Sequence, residues 1–294
     1  MPQQGARRAE GAAPREISYS WSAKTKVGRA LIRSVENLTG RPKLLKMALG
    51  YEHEVEAGRD FWEVMQERYG ITMEFQGGGG IENIPTEGPL VMVANHPYGI
   101  LDGMAMGRML SATRGDFRII AHVVFRKAKD LNRVILPIDF GETKEAMAQN
   151  IRTRKEALSY LADGGAIGIF PSGAVSTAAK PFGKATDSVW KTFTAKMIAK
   201  SGAQVVPVYF GGSNSRLFQI ASHLNQTLRT ALFISEFDAK VGAPLPVTIG
   251  KPLPQNEIQA RAKDSRALMD YLRRETYALS PGGTGDAPMG LNLG

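Results

Sequence analysis

Strand-sized apolar runs, separated by longer stretches of helical periodicity, constrain this 294-residue chain more than any other feature. Runs at Ile71 to Phe75, Pro89 to Ala94, Arg118 to Val123, Val134 to Ile138, Ala166 to Phe170, Val205 to Phe210 and Val247 to Ile249 read as strands. Helical patterns fall between them at Met104 to Leu110, Glu142 to Leu161 and Ser188 to Lys200. Strands that alternate with helices predict an α/β sheet covered on both faces. No run approaches the roughly 20 apolar residues needed to span a bilayer. The opening MPQQGARRAEGAAPRE has no apolar core of the kind a secretory signal needs. A soluble or peripheral, cytoplasmic protein is expected.

Residues 1–17 are polar and rich in Gly, Ala, Pro and Arg, and residues 280–294 are rich in Gly and Pro, so both are expected to be disordered tails. Residues 18–70 read as a basic amphipathic helical segment that docks on a membrane surface. Val27, Leu31, Val35 and Leu38 recur at helical spacing, with Lys26, Arg29 and Arg33 on the other side. Residues 71–279 form the expected α/β domain. The net charge is +9, and residues 7–46 carry ten basic side chains against three acidic ones. Such a surplus favours an anionic partner, whether nucleic acid, lipid or a phosphate-bearing molecule. The chain has no cysteine, which excludes a thiol nucleophile, disulfides and a cysteine-ligated metal.

Two stretches carry chemistry. The first, Asn95-His96-Pro97-Tyr98-Gly99-Ile100-Leu101-Asp102-Gly103, follows a buried strand and precedes a helix. Its polar groups should therefore emerge at a strand end, where α/β sheets place their sites. A histidine held by a carboxylate can take a proton from a hydroxyl. A separation of six positions does not make His96 and Asp102 neighbours on one helix. A turn using the conformational freedom of Gly99 could bring them together. On spacing alone, Asp102 serves equally well as a cap on the next helix. The second stretch, Phe170-Pro171-Ser172-Gly173-Ala174-Val175-Ser176, leaves a buried strand through small residues. Its amides could face an oxyanion, or it is an ordinary strand exit. His53, His122 and His223 form no metal-ligand spacing with each other or with His96.

Together these stretches resemble the glycerolipid acyltransferase family, over about residues 85 to 250. That family has a histidine–aspartate motif after one strand, Phe-Pro-Glu-Gly-x-Arg-Ser after a later one, and a final Val-Pro-Val-type strand. His96 and Asp102 match the first, Phe170 to Ser176 the second, and Val205 to Val208 the third. The resemblance implies a mixed, largely parallel central sheet flanked by helices, and an O-acyltransferase. His96 would be the base and Asp102 its partner. Asn95, Tyr98, Gly99, Phe170, Pro171, Ser172, Gly173 and Ser176 would meet substrate. Beyond the resemblance, the charges of Arg126 and Lys180 make them candidates for a relocated phosphate site and for the donor's phosphates. No cofactor is implied: acyl-CoA or acyl-carrier protein is the donor substrate, and a lysolipid is the acceptor. The partner surface would be anionic lipid on the cytoplasmic face of the inner membrane, with no nucleic acid.

The departures from the family pattern are informative. Five residues separate His96 from Asp102 where the family usually has four, although a subgroup with Asn-His-Pro-Phe-Gly-x-Leu-Asp-Gly is closely similar. Ser172 replaces the second motif's Glu and Val175 its Arg, while Phe140 replaces the Arg of a preceding Ile-Asp-Arg motif. The resemblance associates those arginines with the acceptor's phosphate, and neither valine nor phenylalanine can make a guanidinium fork to phosphate. A lyso-aminolipid of the lyso-ornithine-lipid type is therefore expected, with 1-acylglycerol-3-phosphate as the alternative acceptor. A serine esterase using Ser172 or Ser176 is the rival of another class, although the chain lacks a Gly-x-Ser-x-Gly elbow there.

Overall fold

Each of the seven apolar runs forms a strand, with ends shifted by a residue or a few. The computed structural model describes residues 18–292 apart from 24, 78, 124, 126–128, 140 and 142. Four helices come first: α1 (Lys26–Leu38), α2 (Arg41–Ala48), α3 (Tyr51–Glu56) and α4 (Phe61–Arg68). Then follow β1 (Thr72–Phe75), β2 (Leu90–Ala94), α5 (Ile100–Arg114), β3 (Arg118–His122), α6 (Lys129–Asn132) and β4 (Ile135–Ile138). The middle of the chain holds α7 (Lys144–Ala162), β5 (Ala166–Ile169), a two-residue hairpin pair β6 (Thr177–Ala178) and β7 (Ala185–Thr186), and α8 (Phe193–Ser201). The last elements are β8 (Gln204–Phe210), α9 (Arg216–Leu224), α10 (Gln226–Asp238), β9 (Pro244–Ile249), α11 (Gln255–Arg261) and α12 (Ser265–Ala278). Helices α9 to α12 occupy stretches to which the sequence reading assigns no helix.

The main sheet runs β1-β9-β8-β2-β5-β3-β4. Only the β8–β9 pairing is antiparallel, so the sheet is mixed and largely parallel. Its central strand reads as a continuous apolar run because both of its faces are buried. Leu90, Met92 and Ala94 of β2 enter one core with α5, where Leu101, Met106 and Met109 are buried. Val91 and Val93 enter the other, with Ala157 and Leu161 of α7 and Leu268 and Leu272 of α12. Parallel pairing brings the carboxyl ends of β5, β2 and β8 side by side.

The apolar stripe of α1 stays largely exposed. Val27 is 80% exposed, Leu38 86% and Leu31 45%, whereas Ile32 and Glu36 of the same helix are fully buried. Glu36 is buried because it has donors: the Ser18 hydroxyl at 2.5 Å and the Tyr19 amide at 2.6 Å. Among the described residues, no helix is long and apolar enough to cross a membrane.

The expected disorder of the C-terminal tail is corrected over residues 280–292. Gly290 and Leu291 donate their amides to the carbonyls of Asp187 and Thr177. The Arg273 guanidinium donates to the carbonyls of Ala287 and Pro288. Composition misses this because backbone groups and a distant arginine, rather than apolar side chains of the tail, hold it. Residues 1–17 lie outside the described residues.

Candidate active site

The turn that follows β2 folds His96 back onto Asp102. Gly99 makes this possible with φ +85° and ψ −111°, a conformation closed to residues with a Cβ. A Cβ on Gly99 would also stand 3.2 Å from Val175 Cγ2. Asp102 then lies in the first turn of α5 and is fully buried. Its Oδ2 accepts the amides of Tyr98 at 2.8 Å and Gly99 at 3.0 Å, and stands 3.0 Å from His96 Nδ1. One oxygen of Asp102 thus both caps the first turn of α5 and approaches the His96 ring. Burial pushes the Asp102 carboxyl above its ordinary value, against the opposing pull of His96 and the two amides. The His96 ring stacks on Phe170 with centroids 4.1 Å apart, and 18% of its side chain remains exposed. Phe170 directly follows β5, the strand next to β2, and forms a floor for the imidazole.

The remaining predicted residues divide by what they touch. Asn95 ties strand ends together: Nδ2 donates to the Phe210 carbonyl at 2.9 Å and Oδ1 accepts the Phe210 amide at 2.7 Å. The Tyr98 hydroxyl donates to the Gly211 carbonyl at 2.9 Å, and burial pushes its phenol up to about 12. Pro171 is buried and its carbonyl accepts the Lys191 amide. Gly173 closes a turn by donating to the Phe170 carbonyl at 3.0 Å, with φ +69°. The amides of Ser172, Ala174 and Val175 donate to no protein group among the described residues. Ser172 is buried, and its hydroxyl donates to the Ala174 carbonyl. The buried Ser176 hydroxyl donates to Asp187 Oδ1. Lys180 is exposed in the loop joining β6 to β7, and Arg126 lies outside the described residues.

Sequence reasoning missed three residues that organise this edge. Asp187 is fully buried, and Oδ1 accepts the His96 amide at 3.1 Å while Oδ2 accepts Trp190 Nε1 at 2.8 Å. Burial raises its carboxyl, opposed by Ser176, Trp190 and the His96 amide. Arg229 is also buried. Its guanidinium donates to the Val175 carbonyl, Thr177 Oγ1 and Ser222 Oγ, and lies over the Phe218 ring. Burial lowers it to about 10. Asn214 lies just beyond β8, at 3% exposure. Its place after a strand on the active edge was a legible signal. Asp187 and Arg229 carry none, because their partners lie far off in sequence.

This geometry, a histidine–carboxylate pair at the carboxyl edge of an α/β sheet beside unpaired loop amides, suits acyl transfer to a hydroxyl. The chain belongs to the acyltransferase family, whose model matches residues 46–284, and it is an enzyme that transfers acyl groups. Among curated proteins it is similar to the lyso-glycine lipid O-acyltransferase of Bacteroides thetaiotaomicron, with 29% identity over 236 residues, 78% of this chain and 82% of that protein. The Phocaeicola vulgatus protein of the same name is 29% identical over 205 residues, 67% of this chain and 70% of its own. Among solved structures, the 1-acyl-sn-glycerophosphate (LPA) acyltransferase of Thermotoga maritima aligns over 85% of this chain and 95% of its own, with TM-score 0.46 and 16% identity.

Proposed function

We propose that this enzyme moves a fatty acyl group from a thioester, acyl-CoA or acyl-carrier protein, to the hydroxyl of a lyso-aminolipid. The 3.0 Å approach of His96 Nδ1 to the buried Asp102 carboxylate carries the reading. With Nδ1 held by the carboxylate, Nε2 takes the proton from the acceptor hydroxyl as its oxygen attacks the thioester carbonyl. The tetrahedral intermediate's oxyanion meets amides of the Ser172–Val175 loop. The C–S bond then breaks, and the imidazolium returns its proton to the departing thiolate. No acyl-enzyme forms, in keeping with serine hydroxyls that are buried and already committed to protein acceptors.

The acceptor follows from three observations. Val175 stands where a phosphate-associated arginine is expected. The guanidinium that does reach this loop, Arg229, is spent on protein oxygens. Both curated relatives act on a lyso-glycine lipid by name. An amino-acid head group with no phosphate fits all three.

The surface supports docking on an anionic bilayer at the cytoplasmic face of the inner membrane. Beside the exposed Val27, Leu31 and Leu38 of α1 lies α10, which packs on both α1 and α9. These neighbours expose Leu228, Leu217 and Leu224. Exposed Lys26 and Arg29 stand on the same helix as the leucines. Apolar side chains that enter the interface and cations that meet anionic head groups bind such a surface together.

The deciding experiment offers purified protein a lyso-glycine lipid or lysophosphatidic acid, each with acyl-CoA and with acyl-carrier protein. Diacylated aminolipid should form with wild type and not with His96→Ala, whose melting temperature should be unchanged. Full turnover by His96→Ala would reject the catalytic assignment, and preference for lysophosphatidic acid would reject the acceptor.

A further inference from the structure

A cavity of about 560 Å³ is walled by Asn95 and Pro97, which flank His96 in sequence, together with Ser176 and Tyr277. That volume falls among the roughly 300–1,000 Å³ of small-molecule sites. Asn214 and Gln219 also line it. Among the described residues, neither Nδ2 nor Oδ1 of the buried Asn214 has a hydrogen-bond partner. Gln219 Oε1 accepts the Ala178 amide, while its Nε2 is left unpaired. Buried polar groups are almost always satisfied in folded proteins, so unpaired ones call for a partner. Glu236 shapes this wall from α10: its carboxylate accepts the amide and hydroxyl of Ser215, the residue after Asn214. Gly212 has φ +100°, and a Cβ there would collide with the Tyr98 hydroxyl. The wall is thus locked to the His96 turn.

Two donors and one acceptor define the partner these groups would take. A secondary amide offers a carbonyl that can accept from both nitrogens and an N–H that can donate to Asn214 Oδ1. A bare carboxylate or phosphate would leave Oδ1 without a donor. The exposed cations Lys184 and Arg216 also line the cavity. We infer that this cavity binds a secondary amide, through Asn214 and Gln219, with an anion carried a short distance away beside Lys184 and Arg216. The inference rests on the proposed acyl transfer for its place in a reaction, and two substrates could supply the chemistry. An acceptor with an amide-linked amino acid bears an amide and a carboxylate, and the donor's phosphopantetheine arm bears amides and a phosphate.

Calorimetric titration of N-octanoylglycine, octanoic acid and 4′-phosphopantetheine into the full chain tests the inference without turnover. At least one amide-bearing probe should bind ten or more times tighter than octanoic acid. Asn214→Leu should abolish that preference and raise the melting temperature, since an unpaired buried amide has been removed. A purely structural asparagine would instead lower the melting temperature on substitution. Asn214→Ala repeats the test should the larger side chain not fit. Tight N-octanoylglycine assigns the site to the acceptor, and tight phosphopantetheine assigns it to the donor. Amide probes that bind no better than octanoic acid, or a preference that survives both substitutions, would overturn the inference. The same titrations on His96→Ala separate the two claims. Asn214-dependent binding without acyl transfer to a lyso-aminolipid by wild type would sink the proposed function and leave the site standing.

Discussion

The buried Asp187 carboxylate accepts the backbone amide of His96 at 3.1 Å, across 91 residues of sequence. It therefore positions the backbone of the proposed base, while Asp102 Oδ2 stands 3.0 Å from the ring nitrogen Nδ1. The same carboxylate gathers the Ser176 hydroxyl and the Trp190 indole, so one side chain locks both chemical loops to the sheet edge. Asp187→Asn turns an amide NH2 toward groups that are themselves donors. Each stranded donor costs about 1–3 kcal/mol. The variant should melt several degrees lower and lose turnover beyond what its folded fraction explains. Normal kcat in the folded fraction would show that Asp187 serves stability alone.

Asp102→Asn keeps an oxygen for the Tyr98 and Gly99 amides but no longer presents a carboxylate to Nδ1. Turnover should fall about 10²–10⁴-fold, the range typical of general acid–base catalysis. The loss of stability should stay near that of a weakened cap, about 0.5–2 kcal/mol. Steady-state kinetics alongside a denaturant titration separates the two effects, and an Asn variant with wild-type kcat would remove Asp102 from the mechanism.

Gly99→Ala forces a Cβ into a left-handed conformation and against Val175. Strain of this kind costs about 1–3 kcal/mol. Both the histidine turn and the Ser172–Val175 loop should shift, so kcat should drop along with the denaturation midpoint. A stable, fully active variant would mean that the turn can relax without moving His96.

His122 is held below its ordinary value chiefly by burial, with Asp139 pulling the other way. The unfolded chain therefore takes up this proton first as pH falls. The associated stability is present above about pH 6.5 and is lost as pH drops through the folded value. His122 stacks on Trp21 at 5.0 Å, a contact phenylalanine can keep. Denaturation midpoints from pH 8 to pH 5 should fall less steeply in His122→Phe than in wild type, and parallel curves would exclude His122 as the titrating group.

Leu31→Glu and Leu217→Glu place charge on exposed leucines of α1 and α9. Burying one such side chain in an interface contributes about 1.5–3 kcal/mol, so each change should weaken vesicle binding about tenfold or more. Sedimentation with anionic vesicles reads the effect, while activity on a soluble short-chain acceptor should hold. Undiminished vesicle binding would place the docking face elsewhere.

By itself the sequence determined the strands and the helices α5, α7 and α8 between them, because periodicity acts over a few residues. Turn chemistry left Asp102 open between a helix cap and a partner for His96, and only the family resemblance chose the pair. The sequence also marked the loop from Phe170 to Ser176, since the small residues that let amides approach a ligand are visible as letters. Only the tertiary structure decided that Ile32 and Glu36, rather than Val27 and Leu31, face inward. A helical stripe states which side chains are apolar, not which neighbour will cover them. Asp187 and Arg229 entered the site the same way. Sheet order brings β5, β2 and β8 together from distant parts of the chain, and burial among those partners makes a carboxylate a clamp and an unpaired amide a binding group.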